Sequence, residues 1–425
     1  MQTPPVHPDV IIVGAGLAGC SVASFLAPHR RVLLLDQAEP GSEASAQNAG
    51  MVRRMGEDPY ERALAMRTHE WLSDPGEDWA DLTPSRRTGA VLALAHDDHH
   101  LHDAAAHLRA AGVRIAPLDP ADLPAALQGS RLRTAWHLPD ERVADAWSLV
   151  SGFLRIARRH GATVRANTSV RSLIVDAGRV VGVRTDDGPL HADHVVVAAG
   201  AWSQSLAATA GVVRPLTPLR RTLLQTAPDP RAHPDHPWCW IDDVGIYVRP
   251  EGGGWMVSGC DEAVSYPRTP DSKGPVEDLP RALAIDKLAR WMPALADVRI
   301  RGGWTGLRTF APDRRPMLGP DPDLPGLHWA AGLGGFGVTC SFAVGEAVGS
   351  WLLGEDVSWL GREAVSAGRL QYSTWLIRED GHLAHARPAG IRRATVVQHP
   401  EGRHVEHPGR RHQAAAYVAE AIRVG

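Results

Sequence analysis

The stretch VIIVGAGLAGCSVASF at residues 10–25, closed by RVLLLD ending at Asp36, constrains this chain more than any other. Val10 to Val13 are β-branched without a break, the composition of a parallel strand buried on both faces. Gly14, Gly16 and Gly19 follow as G-x-G-x-x-G, with Leu17 and Ala18 inside the turn. The first glycine permits a tight turn, the second lets backbone approach a pyrophosphate, and the third lets helix lie close on strand. The helix that starts there presents free N–H groups and a positive dipole end to phosphates. Asp36 ends the second strand about 20 residues on, where a carboxylate accepts hydrogen bonds from an adenosine ribose; Gln37 follows it. The unit reads the adenosine diphosphate half common to NAD and FAD, so by itself it does not choose between them.

A chain of 425 residues has room for two domains with substantial cores. A formal net charge of −3 provides no basic field for nucleic acid. No run approaches the roughly 18 apolar residues of a transmembrane helix. MQTPPVHPD has no cationic-then-apolar pattern, so no cleaved signal is expected. Cys20, Cys239, Cys260 and Cys340 are scattered without a C-x-x-C pair and read as isolated reduced thiols. A cytoplasmic location is expected, with a peripheral position at the inner membrane left open.

Strand and helix patterns alternate, which favours an α/β architecture. Late in the chain, LHWAAGLGGFGVTCSFAVGEAVGSWLL repeats the strand–glycine–helix order, while the stretch from about Val213 to Arg301 carries short strands between Pro- and Gly-rich loops. The expected layout is a nucleotide domain made of residues 1–85, 140–212 and 302–362, a mainly antiparallel sheet domain from 86–139 and 213–301, and a mobile tail at 363–425. His96, His99, His100, His102 and His107 crowd one helical region, but no carboxylate or Cys arrangement completes a ligand set. They read as a solvated face, and no metal site is expected. Asp242 and Asp243 read as part of a turn.

VIIVGAGLAG…LLLD, ASAQNAGMV, HVVVAAGAWS, GWTGLRTFAPDRRPMLG and AAGLGGFGVT together resemble the D-amino-acid oxidase superfamily of FAD enzymes, which includes glycine oxidase, sarcosine oxidase and the D-amino-acid dehydrogenases. The likeness covers roughly residues 9–360. Through RPL…RRT, GIYVRP, GWTGLRTF and GGFGVT it runs closest to the bacterial D-arginine and D-amino-acid dehydrogenases and glycine oxidases. The resemblance implies a Rossmann-like FAD domain of that family's type, with an inserted antiparallel substrate domain. It implies non-covalent FAD, because no Cys stands near Arg308 and no His near Asn48. Ser45, Asn48, Ala49 and Gly50 match the loop against the isoalloxazine, Val170 the main chain at adenine, and Ala199, Gly200 and Trp202 a second nucleotide loop. Gly334, Gly335, Gly337, Val338 and Thr339 match a helix N-terminus that stabilises charge on the reduced flavin.

The same resemblance implies that Arg308, Arg221 and Tyr247 grip a substrate carboxylate and that Gly335 contacts substrate through its backbone. The implied reaction oxidises the Cα–N bond of a D-amino acid or N-substituted glycine. Hydride passes to flavin N5, an imine hydrolyses to a 2-oxo acid, and electrons go on to a quinone, a carrier or O2. No catalytic base is required when the amine binds neutral. Where the D-arginine dehydrogenases carry a Glu for the guanidinium and a His, this chain has Gly89 and Met51. Arg53 and Arg54 add positive charge, so neutral or acidic substrates are expected over D-arginine. Met256 stands where sarcosine oxidase has a Lys. Oxidation of a 2-hydroxy acid, and a non-catalytic flavin-binding electron-transfer subunit, stay open as alternatives.

Overall fold

The computed structural model describes residues 7–96, 99–267 and 274–370, together with the short strands Trp375–Ile377 and Leu383–His385. Val10–Val13 lies near the middle of a six-stranded sheet. On one side of it run Val32–Leu35 and Thr163–Arg165, and on the other His194–Val197 and Leu327–Ala331, all parallel. Met317–Pro320 closes the edge antiparallel to Leu327–Ala331. The chain thus moves outward from the first strand in both directions, which opens a crevice at that strand's C-terminal end.

The unbroken VIIV run is explained by its two faces. Val10 and Ile12 pack under helices Leu17–Leu26, Ala146–Arg159 and Ser341–Leu353, while Ile11 and Val13 pack under an antiparallel sheet of Val170–Asp176, Arg179–Thr185 and Gly188–His191. The tip of that sheet turns at Ala177 and Gly178, both at positive φ (46° and 73°), as a two-residue hairpin turn requires. Leu17–Leu26 and Ser341–Leu353 touch almost backbone to backbone. A Cβ on Gly345 would lie 2.0 Å from Ser21 Oγ, and one on Gly349 would lie 2.9 Å from Phe25 Cβ.

The second layer is an eight-stranded sheet, in spatial order Ile300–Phe310, Thr217–Thr226, Gly254–Ser258, Ile246–Glu251, Trp238–Ile241, Ala90–Leu94, Thr134–Leu138 and Ala116–Pro117. Its pairs are antiparallel except Trp238–Ile241 with Ala90–Leu94. Side chains alternate as the pleat demands. Leu224, Val248, Ile241 and Val91 meet helix Asp278–Trp291, while Leu223, Tyr247, Trp240 and Leu92 face the other way, towards Ala49 and Met55. Ile300–Phe310 pairs from end to end with Thr217–Thr226, so residues 302–310, which sequence reading gave to the nucleotide domain, hydrogen-bond within the inserted sheet. Packing also runs past residue 362: Val365, Ala367 and Leu370 are buried, and Arg369 Nε donates to Asp313 at 2.7 Å. The rest of the expected tail, apart from the two short strands, lies outside the described residues.

All four cysteines are free and buried. Among the described residues, no helix is long and apolar enough to cross a membrane.

Candidate active site

One cavity of about 410 Å³ runs from the glycine turn at the end of Val10–Val13 to the inner face of the eight-stranded sheet. Gly14 sits at φ +105°, and a Cβ there would be 2.4 Å from the O of Ala198, the residue just past the neighbouring strand His194–Val197. A Cβ on Gly19 would be 1.8 Å from Gly14 O. Gly14, Gly16, Leu17 and Ala18 line the cavity, whereas Gly19 lies behind it and lets helix and strand close up. Asp36, with Gln37 beside it, holds the far end. Its carboxylate accepts from Ala15 N (2.6 Å) and Ala38 N (2.9 Å). Burial still pushes that carboxyl above its ordinary range, against those two donors and with help from Glu43 and Glu39. Ser45 Oγ accepts from Leu17 N at 2.9 Å, which puts a hydroxyl at the helix start. Asn48 Oδ1 accepts from Gly50 N (2.7 Å) and folds the loop that brings Ala49 and Gly50 to the wall. Val170, Ala199, Gly200 and Trp202 line the middle.

At the other end Gly334 and Gly335 have positive φ (56° and 87°). These angles, with further turns through Cys340, delay the helix to Ser341. Residues 335–339 are therefore a chain of turns ahead of the helix rather than its first residues. The effect on donors is similar: among the described residues, the N–H groups of Gly337, Val338 and Thr339 have no protein acceptor, and all three residues line the cavity. Successive free N–H groups of this kind form an anion-binding concavity. Thr339 Oγ1 donates to Met51 O (3.1 Å) and accepts from Arg53 N (3.3 Å), tying the two cavity loops together.

Beside this turn stand two guanidinium groups. Arg308 lies flat on Gly335: a Cβ there would be 2.7 Å from both Cζ and Nε of Arg308. Arg308 has no protein hydrogen-bond or ion-pair partner among the described residues. Burial, and then the charge of Arg221, push it down to about 10. Arg221 gives one nitrogen to Glu262 (2.9 Å), while its Nε and Nη1 are buried without a partner. The Tyr247 hydroxyl is likewise buried, with the Ser258 side chain of the adjacent strand as its nearest protein partner, and burial raises its pKa against the pull of Arg308 and Arg221. Burial disfavours ionised Glu262, but Arg314 and Arg221 outweigh it and hold that carboxyl below its usual range. One carboxylate therefore serves a group of cations with spare donors, and the uncompensated charge calls for an anion from outside.

Residues 9–351 match the DAO family, described as FAD dependent oxidoreductase. The chain belongs to this family. It is 28% identical over 387 residues to 4-methylaminobutanoate oxidase (formaldehyde-forming) of Paenarthrobacter nicotinovorans, a match covering 82% of the chain and 44% of that protein. The chain thus spans less than half the length of that oxidase. With the glycine oxidase of Bacillus licheniformis it shares 26% identity over 385 residues, covering 85% of the chain and 97% of the relative. The L-proline dehydrogenase structure from P. horikoshii superposes with a TM-score of 0.75 at 21% identity, over 86% of this chain and 98% of that one, and shares the fold.

FAD is the cofactor of the DAO family, and the cavity of this member suits it. The glycine cradle leaves room only for backbone at Gly14, Asp36 offers a carboxylate at the adenosine end, and three free N–H groups face the opposite end. Further lining groups lack protein partners among the described residues: the Trp202 and Trp240 indole N–H groups, the Ser42 hydroxyl, and both amide atoms of the buried Gln47 side chain. Sequence reading missed Gln47, which packs against Gly306, where a Cβ would be 2.8 Å from Gln47 Cβ. It also missed Leu223, Trp240 and Phe336, apolar or aromatic residues of ordinary core type that here line the cavity.

Several specificity expectations change. Met51 and Arg53 line the cavity, but Arg54 turns away into a buried pair with Glu141 (3.1 Å). Gly89 is not on the cavity wall, and neither is Met256, which is buried in the sheet core. Asp243 accepts from Ala95 N and His96 N as a turn residue, whereas Asp242 pairs with Arg53 at 3.3 Å. Among the described residues, no group of three or more His, Cys, Asp or Glu is placed to hold a metal.

Proposed function

We propose that this DAO-family chain oxidises the Cα–N bond of an amino acid, either a D-amino acid or an N-substituted glycine. The observation that carries this reading is the pair Arg308 and Arg221 with Tyr247 in one cavity: part-buried Arg308, packed on Gly335, has no protein partner among the described residues, buried Arg221 keeps two unused nitrogens, and the Tyr247 hydroxyl is buried with them. A substrate carboxylate bound there gains charge-assisted and bidentate hydrogen bonds that water would otherwise supply. The grip fixes Cα, and the apolar walls from Leu223, Leu333 and Met51 keep water from the reacting carbon.

When bound, FAD would supply a two-electron acceptor for the hydride that leaves Cα. The amine binds neutral, so its nitrogen lone pair forms the C=N bond as hydride leaves, and no protein base is needed. Water then converts the imine to a 2-oxo acid and ammonia, or a primary amine. The electrons pass on to a quinone, a carrier or O2. In this reading Gly14, Gly16, Leu17, Ala18, Asp36, Gln37 and Ser45 hold the adenosine diphosphate half, Val170, Ala199, Gly200 and Trp202 the middle, and Asn48, Ala49 and Gly50 the flavin. Gly19 supports them from behind. The N–H groups at Gly337, Val338 and Thr339 would stabilise negative charge on the cofactor at that end of the cavity.

The test is anaerobic bleaching of flavin absorbance by a panel of D- and L-amino acids, N-methylglycine and 2-hydroxy acids, followed by assay for ammonia or methylamine. Bleaching by amino acids with amine release is expected. Bleaching by 2-hydroxy acids alone, or by no member of the panel, would sink the reading.

A further inference from the structure

Arg53 stands apart from the carboxylate grip. It lines the same cavity, its side chain is 13% exposed, and its guanidinium lies 4.3 Å over the Trp240 ring and 5.0 Å from the Phe336 ring. Its backbone N–H is anchored on Thr339 Oγ1. A guanidinium carries five donors. Here Nη1 meets Asp242 at a long 3.3 Å, and among the described residues no other protein acceptor reaches the group. Two further acids feel its charge: Glu141, which is engaged by Arg54 at 3.1 Å, and Glu61, whose carboxyl burial first, with Asp58 and Glu57 adding to it, pushes up to about 7 against the pull of Arg53 and Arg314. Neither Glu61 nor Glu141 accepts a hydrogen bond from the Arg53 side chain, so the guanidinium keeps unused donors towards the cavity.

Its position relative to the grip follows from the sheet. Trp240 and Tyr247 are direct partners on adjacent strands, with rings 5.1 Å apart. Arg53 covers Trp240, and Arg308 acts on Tyr247. The two cationic sites are therefore separated by one strand step plus side-chain reach, on the order of 5–10 Å. Met51 and Leu223 line the same cavity, and such apolar walls suit methylene groups.

We propose that Arg53 is a specificity-determining residue that binds a second acidic group on the substrate, so that the chain selects amino acids with a short acidic side chain. The inference rests on the function proposed above, in which Arg308 and Arg221 hold the first carboxylate. A planar cation already clamped between two rings loses little side-chain freedom when it receives a carboxylate, which favours binding.

The test compares glutamate with glutamine and aspartate with asparagine, both enantiomers of each, as reductants of the anaerobic holoenzyme, with D-alanine and D-arginine as references. Binding is followed in parallel through the change in flavin absorbance caused by glutarate and by its half-amide, glutaramate. In the wild type the acid exceeds its amide by about ten-fold or more in kcat/KM, and glutarate binds correspondingly tighter than glutaramate. In Arg53→Met both ratios fall to about one, with the loss for the acid carried by KM, and Arg53→Lys restores part of it. The inference is overturned if amide or D-arginine equals or exceeds the acid in the wild type, or if Arg53→Met depresses acid and amide alike. If D-alanine or glutamine bleaches the flavin with no acid preference, this inference fails alone. If no amino acid does, the proposed function fails, and equal binding of glutarate and glutaramate then overturns the second anion site as well. Should Arg53→Met lose its flavin, the wild-type ratios and Arg53→Lys still decide.

Discussion

Gly335→Ala is the most informative single perturbation, because the structure ties this glycine to one partner. The new methyl would lie 2.7 Å from Cζ and Nε and 2.9 Å from Nη1 of Arg308, on a residue at φ +87°. Carbon contacts settle near 3.5–4.0 Å, so the guanidinium must retreat by about 1 Å. Its end is flexible, so the fold survives, with a backbone cost of about 1–2 kcal/mol for the left-handed conformation. Binding does not survive intact, since a displacement of that size weakens one charge-assisted hydrogen bond worth about 1.5–3 kcal/mol. That corresponds to roughly 10- to 150-fold in KM for the amino-acid substrate, with flavin content retained. The assay is steady-state kinetics on wild type, Gly335→Ala, Arg308→Met and the double variant. If glycine acts through arginine, the double variant is no worse in KM than Arg308→Met alone. Wild-type KM in Gly335→Ala, or strictly additive losses in the double variant, would refute the reasoning.

Further expectations concern the cofactor and the fold. Asp36→Ala removes the acceptor of Ala15 N and Ala38 N and should weaken FAD by about ten-fold or more, read by flavin loss on dilution. Gly19→Val places side-chain atoms where a Cβ already sits 1.8 Å from Gly14 O, so it should yield insoluble or flavin-free protein, checked by soluble yield and absorbance; a soluble yellow variant counts against the close helix–strand contact. Burial, then His194, hold the His328 imidazole down to about 3. The unfolded chain therefore takes up a proton below about pH 6.5 that the folded chain refuses, so stability is lost as pH falls, by roughly 1.4 kcal/mol per unit. Between pH 7.5 and pH 5 this term amounts to about 2 kcal/mol, and His328→Leu should flatten the slope of urea-unfolding stability accordingly.

What the sequence made legible was local. The VIIV run, its glycines and Asp36 lie within 27 residues, and each has a steric or hydrogen-bonding reason readable from residue type. The late GGFGVT turn was legible for the same reason, although two consecutive positive-φ glycines push the helix start to Ser341. What stayed hidden depends on distant partners. Ile300–Phe310 belongs to the inserted sheet because it pairs with a strand some 80 residues earlier, and glycine-rich periodicity cannot announce that. Arg53 and Arg54 are adjacent and alike in sequence, yet one is aimed at the cavity by Asp242 and Trp240 while the other is neutralised by Glu141. Gln47 looks like an ordinary loop amide until its two polar atoms are found buried and unpaired.

The seam between Leu17–Leu26 and Ser341–Leu353, where Gly345 meets Ser21 and Gly349 meets Phe25, acts as a ruler. The glycine turn proposed to cradle phosphates precedes one of these helices and the turn proposed to face the flavin precedes the other, so the spacing between the two ends of the cavity is set by helices that cannot slide apart without opening a void. A bulkier residue at position 345 would lengthen that ruler while touching no cofactor atom. Fragments such as FMN or ADP-ribose, which can satisfy only one end, should be far weaker ligands than the whole dinucleotide.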